Sequence, residues 1–154
     1  MSDPFVTKNI LKWYDLNKRS LPWRKNVSKE KRQYNTLISE FMLQQTQVAT
    51  VIPYFNKFVK EIPNIKKLAS VDNKKLIKLW EGLGYYSRAR NLKKAAQSVI
   101  KNFNGVIPDN FDDLKSLSGI GDYTANAILA IAFNKPYIPL DGNVERIINC
   151  LLYT

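Results

Sequence analysis

Apolar residues along the chain recur three and four positions apart, and no stretch of useful length alternates at the period of a strand, so the pattern predicts an all-α protein. Asp3-Pro4 opens a first helix that runs to about Asn17, with Ile10, Trp13 and Tyr14 as its buried side. A loop, Ser20-Leu21-Pro22-Trp23-Arg24, and a basic polar stretch from Lys25 to Arg32 follow. From Asn35 or Thr36 a helix is expected to run to about Val51 on a stripe of Ile38, Phe41, Met42, Val48 and Ile52, with Pro53 ending or kinking it before Tyr54 to Glu61 continues. Pro63 to Ala69 reads as a short helix, and Asp72 caps one that buries Leu76, Leu79 and Trp80 and stops at Gly82. Tyr85 or Ser87 starts a helix that reaches about Asn102 and is closed by Gly105. Asn110 or Phe111 to Leu117, Asp122 to Phe133 and a last helix from Asn143 complete the pattern, with short connections and no repeat, low-complexity segment or linker. Cys150-Leu151-Leu152-Tyr153-Thr154 carries no glycine, proline or polar stop, so the chain is expected to be cut inside a helix.

At 154 residues with 45% hydrophobic side chains, the chain can bury one core or two small lobes. No apolar run approaches a membrane span, and Met1-Ser2-Asp3-Pro4 resembles no secretion signal; an intracellular protein, cytoplasmic or at the bacterial nucleoid, is expected. One cysteine, Cys150, and no histidine exclude an internal disulfide, the usual zinc ligand sets and histidine acid–base chemistry. The formal charge of +11 points to a polyanionic partner, with a solvated lysine-rich surface as the bland alternative.

Chemistry concentrates in a few stretches. In Leu117-Ser118-Gly119-Ile120-Gly121, two glycines let the backbone turn with no Cβ in the way, so that amide N–H groups opening the next helix, Asp122-Tyr123-Thr124, can face a phosphate. A plain cap and turn explains the same glycines. Asp141, in Leu140-Asp141-Gly142-Asn143-Val144, stands just before a helix whose dipole favours the ionised form, which suits an anion that stabilises a cation; ordinary N-cap chemistry is the alternative. Glu40, in Ser39-Glu40-Phe41-Met42-Leu43-Gln44-Gln45-Thr46-Gln47, is read near the start of its helix, flanked by Leu37, Phe41 and Leu43. Partial desolvation there would raise its pKa and let it hold a proton near neutral pH, while a first-turn acid favoured by the helix dipole is the simpler account. Three glutamines in four residues at that helix's exposed edge could donate to bases. Gly82 to Arg90 sets Tyr85, Tyr86, Arg88 and Arg90 beside a glycine pair, a mix suited to stacking bases and gripping phosphates.

Together, Leu21-Pro22-Trp23-Arg24, Ser39 to Val48, Trp80 to Leu92, the Leu117 to Ile128 hairpin and Leu140 to Val144 resemble the MutY-type adenine DNA glycosylases of the helix-hairpin-helix superfamily, in the right order and over almost the whole chain. The resemblance implies a helix-hairpin-helix glycosylase fold: a six-helix module over residues 23–136, with the hairpin at about 111–133, and an incomplete second lobe from residues 1–22 and 137–154. It implies a monomer that flips adenine out of double-stranded DNA where it is mispaired with 8-oxoguanine or guanine, and hydrolyses its N-glycosidic bond. By that match Glu40 protonates the departing adenine and Asp141 stabilises the oxocarbenium-like sugar, with Tyr123 and Asn143 close to it. Trp23 and Arg24 lie at the adenine pocket, Gln45 and Tyr85 insert into the base stack, Leu43, Gln44 and Arg88 belong to the same substrate surface, and Gly119, Gly121 and Thr124 hold backbone phosphate. Tyr123 occupies the place of the lysine nucleophile of strand-cutting relatives, which implies base excision without efficient strand cleavage. A 4Fe-4S iron-sulfur cluster is implied for the full-length family, its four-cysteine loop lying beyond Thr154. A thymine-mismatch glycosylase of the same superfamily and a non-catalytic helix-hairpin-helix DNA-binding module are the alternatives; Glu40 with the Gln44-Gln45 pair favours adenine, and a binding module needs no pair of acids.

Overall fold

The computed structural model describes residues 4–152, and among them every regular element is helical. In chain order these are α1 (Pro4–Asn17), a 3-10 turn (Pro22–Arg24), α2 (Lys29–Leu43), α3 (Val48–Glu61), α4 (Ile65–Ser70), α5 (Asn73–Trp80), α6 (Tyr86–Asn102), α7 (Phe111–Lys115), α8 (Asp122–Phe133) and α9 (Gly142–Leu152). Short polar side chains set several starts by accepting amide protons that the first turn leaves unpaired: Ser28 from Lys31, Asn64 from Lys67, Asp72 from Lys74 and Lys75, and Asn110 from Asp113.

The Ser28 cap corrects the reading of α2, which begins at Lys29 rather than at Asn35 or Thr36 and takes in half of the basic stretch. Its end is corrected too. The helix breaks after Leu43, where Gln45 adopts φ 55°, and the chain restarts at Val48. Pro53 does not end the helix: it lies exposed inside α3, where losing one backbone hydrogen bond on the solvent side is tolerable. The glutamines expected along a helix edge therefore sit in the connection between α2 and α3.

Everything from Gln33 to Met42 in α2 is buried, because α3, α6, α8 and the 3-10 turn all pack against it. Phe41, Leu37, Ile38 and Met42 meet a core continued by Phe55 and Phe58 of α3, Leu76 and Trp80 of α5, Leu92 of α6 and Ile128 of α8. Edge-on ring contacts, Trp23 to Phe55 at 5.2 Å and Phe58 to Trp80 at 6.1 Å, tie the 3-10 turn and α5 to α3. At about 1.5–3 kcal/mol per fully buried large apolar side chain, this core supplies the main stabilisation.

The outer helices depart from expectation. Ile10, Trp13 and Tyr14, read as the buried side of α1, are 59%, 64% and 44% exposed, and Ile147 and Ile148 of α9 are exposed as well. Helical periodicity marks an apolar face without saying what covers it, and neither α1 nor α9 has an extensive packing partner among the described residues.

Candidate active site

The end of α2 meets the start of α8 and the 3-10 turn around a cavity of about 860 Å³. Trp23 and Arg24 line it from the 3-10 turn; Glu40, Leu43, Gln44 and Gln45 from the end of α2; Tyr85 and Arg88 from the start of α6; Gly121, Tyr123 and Thr124 from the hairpin; and Asp141 from the start of α9. Of the candidate residues, Gly119 and Asn143 are not part of this lining.

Glu40 stands in the last turn of α2, not near its start. That position removes the helix-dipole account, since a carboxylate near a C-terminus is disfavoured. Only 8% exposed, its carboxyl is pushed up to about 7 by burial, with the Arg24 guanidinium opposing the shift. Asp141 goes the other way. Its Oδ1 accepts the amides of Val144 at 2.8 Å and Asn143 at 3.0 Å, and its carbonyl accepts the Glu145 amide at 2.9 Å, so it caps α9. These bonds, the Val144 amide foremost, hold its carboxyl below the usual range, and the Asn143 amide group adds a bond from Nδ2 to Oδ2 at 3.4 Å. Asn143 thus reaches the site through Asp141. Tyr123 links the two acids: burial raises its phenol, and the charges of Glu40 and Asp141 raise it further, so the phenol lies within electrostatic reach of both.

Arg88 corrects the sequence reading. Expected to grip phosphate, its side chain is buried, and Nη1 donates to the carbonyls of Phe41, Met42 and Gln44 and to Thr46 Oγ1, while Nη2 donates to the carbonyls of Leu83 and Gly84. It thereby satisfies carbonyls left open at the end of α2. It also clamps two loops at once. Gln45 (φ 55°) and Tyr85 (φ 48°) both hold a left-handed backbone that is uncommon outside glycine and asparagine, costs roughly 1–3 kcal/mol each and persists only where the surroundings impose it. Both side chains are exposed at the cavity. Nothing in the local sequence distinguishes this inward arginine from its outward neighbour Arg90; only the carbonyls brought to it by α2 do.

In the hairpin, Gly119 has φ +83°, and a Cβ there would fall 2.8 Å from Phe41 Cε1 and 2.9 Å from Asn91 Cβ. Its glycine is demanded by packing on α2 and α6, and its carbonyl accepts from Gln44 Nε2 at 3.3 Å. Gly121 is open on its Cβ side, and Thr124 is buried. Leu21, Val48, Ser87 and Ala127, which belong to the motifs but carried no assigned role, also line the cavity, as do Arg19, Ile131 and Pro139, ordinary residues whose only signal is proximity to the motifs.

The residues present do not fit a 4Fe-4S cluster: four thiolates are needed and the chain has Cys150 alone, which is exposed. Among the described residues no group of three or more histidine, cysteine or acidic side chains could hold a metal ion, and no helix is long and apolar enough to cross a membrane.

Residues 38–153 match the family described as HhH-GPD superfamily base excision DNA repair protein. The chain is 45% identical over 146 residues to the adenine DNA glycosylase of Rattus norvegicus, and 46% identical over 142 residues to that of Buchnera aphidicola subsp. Baizongia pistaciae. Each alignment covers 92% of this chain but only 28% and 39% of the relative, so the chain spans well under half the length of these curated relatives. Among solved structures, a thermostable thymine-DNA glycosylase superposes with a TM-score of 0.83 at 27% identity, covering 94% of this chain and 65% of the other. An endonuclease III–DNA covalent intermediate superposes with a TM-score of 0.75 at 22% identity, over 96% and 68%, a likeness of fold.

Proposed function

The chain belongs to the HhH-GPD superfamily of base excision DNA repair proteins, and from that premise we propose that it carries the catalytic face of an adenine DNA glycosylase acting on double-stranded DNA inside the cell. The observation that carries the reading is a single cavity holding two carboxyls displaced in opposite directions, Glu40 up to about 7 and Asp141 down. A purine is a poor leaving group until a ring nitrogen is protonated. Glu40, about half protonated at neutral pH, gives its proton to the flipped adenine. As the glycosidic bond breaks, its electron pair leaves with the base and the sugar becomes an oxocarbenium-like cation, which the charged Asp141 faces and stabilises until water adds to the sugar carbon and passes a proton to the Glu40 carboxylate. Tyr123, within electrostatic reach of both acids, faces the sugar, Trp23 and Arg24 bound the adenine pocket, and Gly121 with its following amides holds phosphate at the hairpin. Gln45 and Tyr85, held in strained conformations by Arg88, enter the base stack and fill the gap that the adenine leaves.

Identity to relatives named for adenine, 45–46%, stands well above the 27% to the thymine-DNA glycosylase and supports the purine reading, as does the proton donor that a purine requires. Tyr123 supplies no amine, so excision proceeds as a monofunctional hydrolysis, by a monomer, at adenine opposite 8-oxoguanine or guanine. Glu40→Gln in the full-length protein is expected to abolish adenine release in single-turnover assays while duplex binding stays within a few-fold, since the change removes a proton donor and leaves the groups that hold phosphate in place. Excision retained by that variant would sink the assignment.

A further inference from the structure

Outside the cavity, a groove is outlined by three depressions that adjoin along α6 through shared bordering residues. Between α5 and the start of α6, one is bordered by Lys74, Lys78, Glu81 and Tyr86; the next shares its Asn73 and Ile77 and adds Arg90, Lys93 and Lys94; the last shares Gln97 and reaches Lys66 on α4. On α6 the bordering residues Tyr86, Arg90, Lys93, Lys94 and Gln97 recur at helical spacing and so share one face. The groove therefore presents Lys66, Lys74, Lys78, Arg90, Lys93 and Lys94 against the single carboxylate of Glu81. None of these cations is in an ion pair among the described residues, where the pairs are Lys18–Asp15, Lys75–Glu61, Lys115–Asp122 and Lys135–Asp109. The one side-chain tie is Lys93 Nζ to Asn73 Oδ1 at 2.7 Å.

The cavity, by contrast, offers few free cations, with Arg19 and Arg24 beside Glu40 and Asp141 and with Arg88 already committed to carbonyls. The excess charge of the chain, +11, is thus not concentrated where the base is processed. The groove also starts at the cavity's edge: Tyr86 borders it, while its chain neighbours Tyr85 and Ser87 line the cavity. From Tyr86 to Gln97 the helix face runs about 17 Å at 1.5 Å per residue, the length of about five base pairs.

We propose that this groove is a second DNA-binding surface, which holds the phosphate backbone of the duplex arm leaving the cavity; the proposal rests on the glycosylase reading above. A row dominated by lysines, point charges on flexible stems, gives affinity without sequence readout and releases counterions as the arm docks. The test is Lys74→Gln/Lys78→Gln/Lys94→Gln in the full-length protein, all three residues being exposed and outside the catalytic cavity. Binding is read by anisotropy over a salt series, on a long mispair duplex with arms of about 15 base pairs on both sides and on a short one in which the arm entering the groove is cut to a single base pair, each of the two orientations being tried. On the long duplex the logarithmic salt slope should fall by up to about 2.7, at about 0.9 for each phosphate that a lysine no longer neutralises, and affinity at about 0.1 M salt by tenfold or more. On the short duplex the variant should match the parent within about twofold, and single-turnover excision at saturating protein should be unchanged. The Lys→Arg triple variant should restore the long-duplex slope, which separates lost charge from a folding defect. An unchanged slope on the long duplex overturns the groove and leaves an acidic protein segment as its occupant. An equal loss on both duplexes overturns it by assigning the phosphates to the cavity. A parent protein that binds neither duplex overturns the glycosylase reading itself, and the groove with it.

Discussion

Replacing Glu40 by glutamine should make the protein more stable, and by an amount that depends on pH. The carboxyl is raised from 4.5 to about 7 by burial, so the folded state keeps its proton to a higher pH than the unfolded chain does. The sign follows: the folded state's advantage is complete below pH 4.5, declines as pH rises, and levels off once pH exceeds about 7. A shift of this size corresponds to about 3 kcal/mol of lost stability at pH 8, and to only about 1 kcal/mol at pH 5, which lies half a unit above the unfolded value and well below the folded one. Glutamine keeps the shape and does not ionise. Urea unfolding of parent and variant at the two pH values should therefore show the variant gaining about 3 kcal/mol at pH 8 and about 1 kcal/mol at pH 5. A gain equal at both values, or a variant less stable at pH 8, would refute the view that Glu40 is a desolvated acid. In the mechanism proposed above the same proton serves the reaction, so adenine release by the parent should fall above pH 7 with a slope near one, and the stability regained by the variant should come with lost activity.

Arg88→Met removes every donor that the guanidinium supplies to the end of α2 and to Leu83 and Gly84, and should cost about 2–4 kcal/mol in denaturant titration. At temperatures where the variant is still folded, excision should fall tenfold or more because Gln45 and Tyr85 are no longer held; normal excision would show that the clamp is purely structural. Tyr123→Lys should gain a borohydride-trapped adduct on abasic or mispair duplex, since an amine at that place can form an imine with the sugar carbon once adenine has left, and no gain would mean that position 123 does not face the sugar.

Several features were legible in the chain because their causes are local. Apolar spacing at three and four residues marks helices whatever surrounds them, and it marked those of the core here. The aspartate at 141 caps the next helix through amides two and three residues away, and Gly119 takes the positive φ that a tight hairpin allows. The motifs also converged: nearly all the residues singled out around Glu40, Tyr85, Tyr123 and Asp141 line one cavity. What escaped depended on partners distant in sequence. The break at Gln44 to Gln47 has no glycine or proline to announce it, and it is maintained by an arginine more than forty residues away. That arginine reads as a phosphate ligand until α2 presents its open carbonyls. Ile10, Trp13 and Tyr14 form an apolar stripe that periodicity cannot distinguish from a covered one. Glu40 shows the division most clearly. Its neighbours in sequence allowed either a dipole-favoured surface acid or a desolvated one, and the choice was made by packing of α3, α6 and α8 around α2, because the free energy of a carboxylate depends on how much water and which charges lie within a few ångströms, and those are set by contacts between elements and not by the order of residues along one.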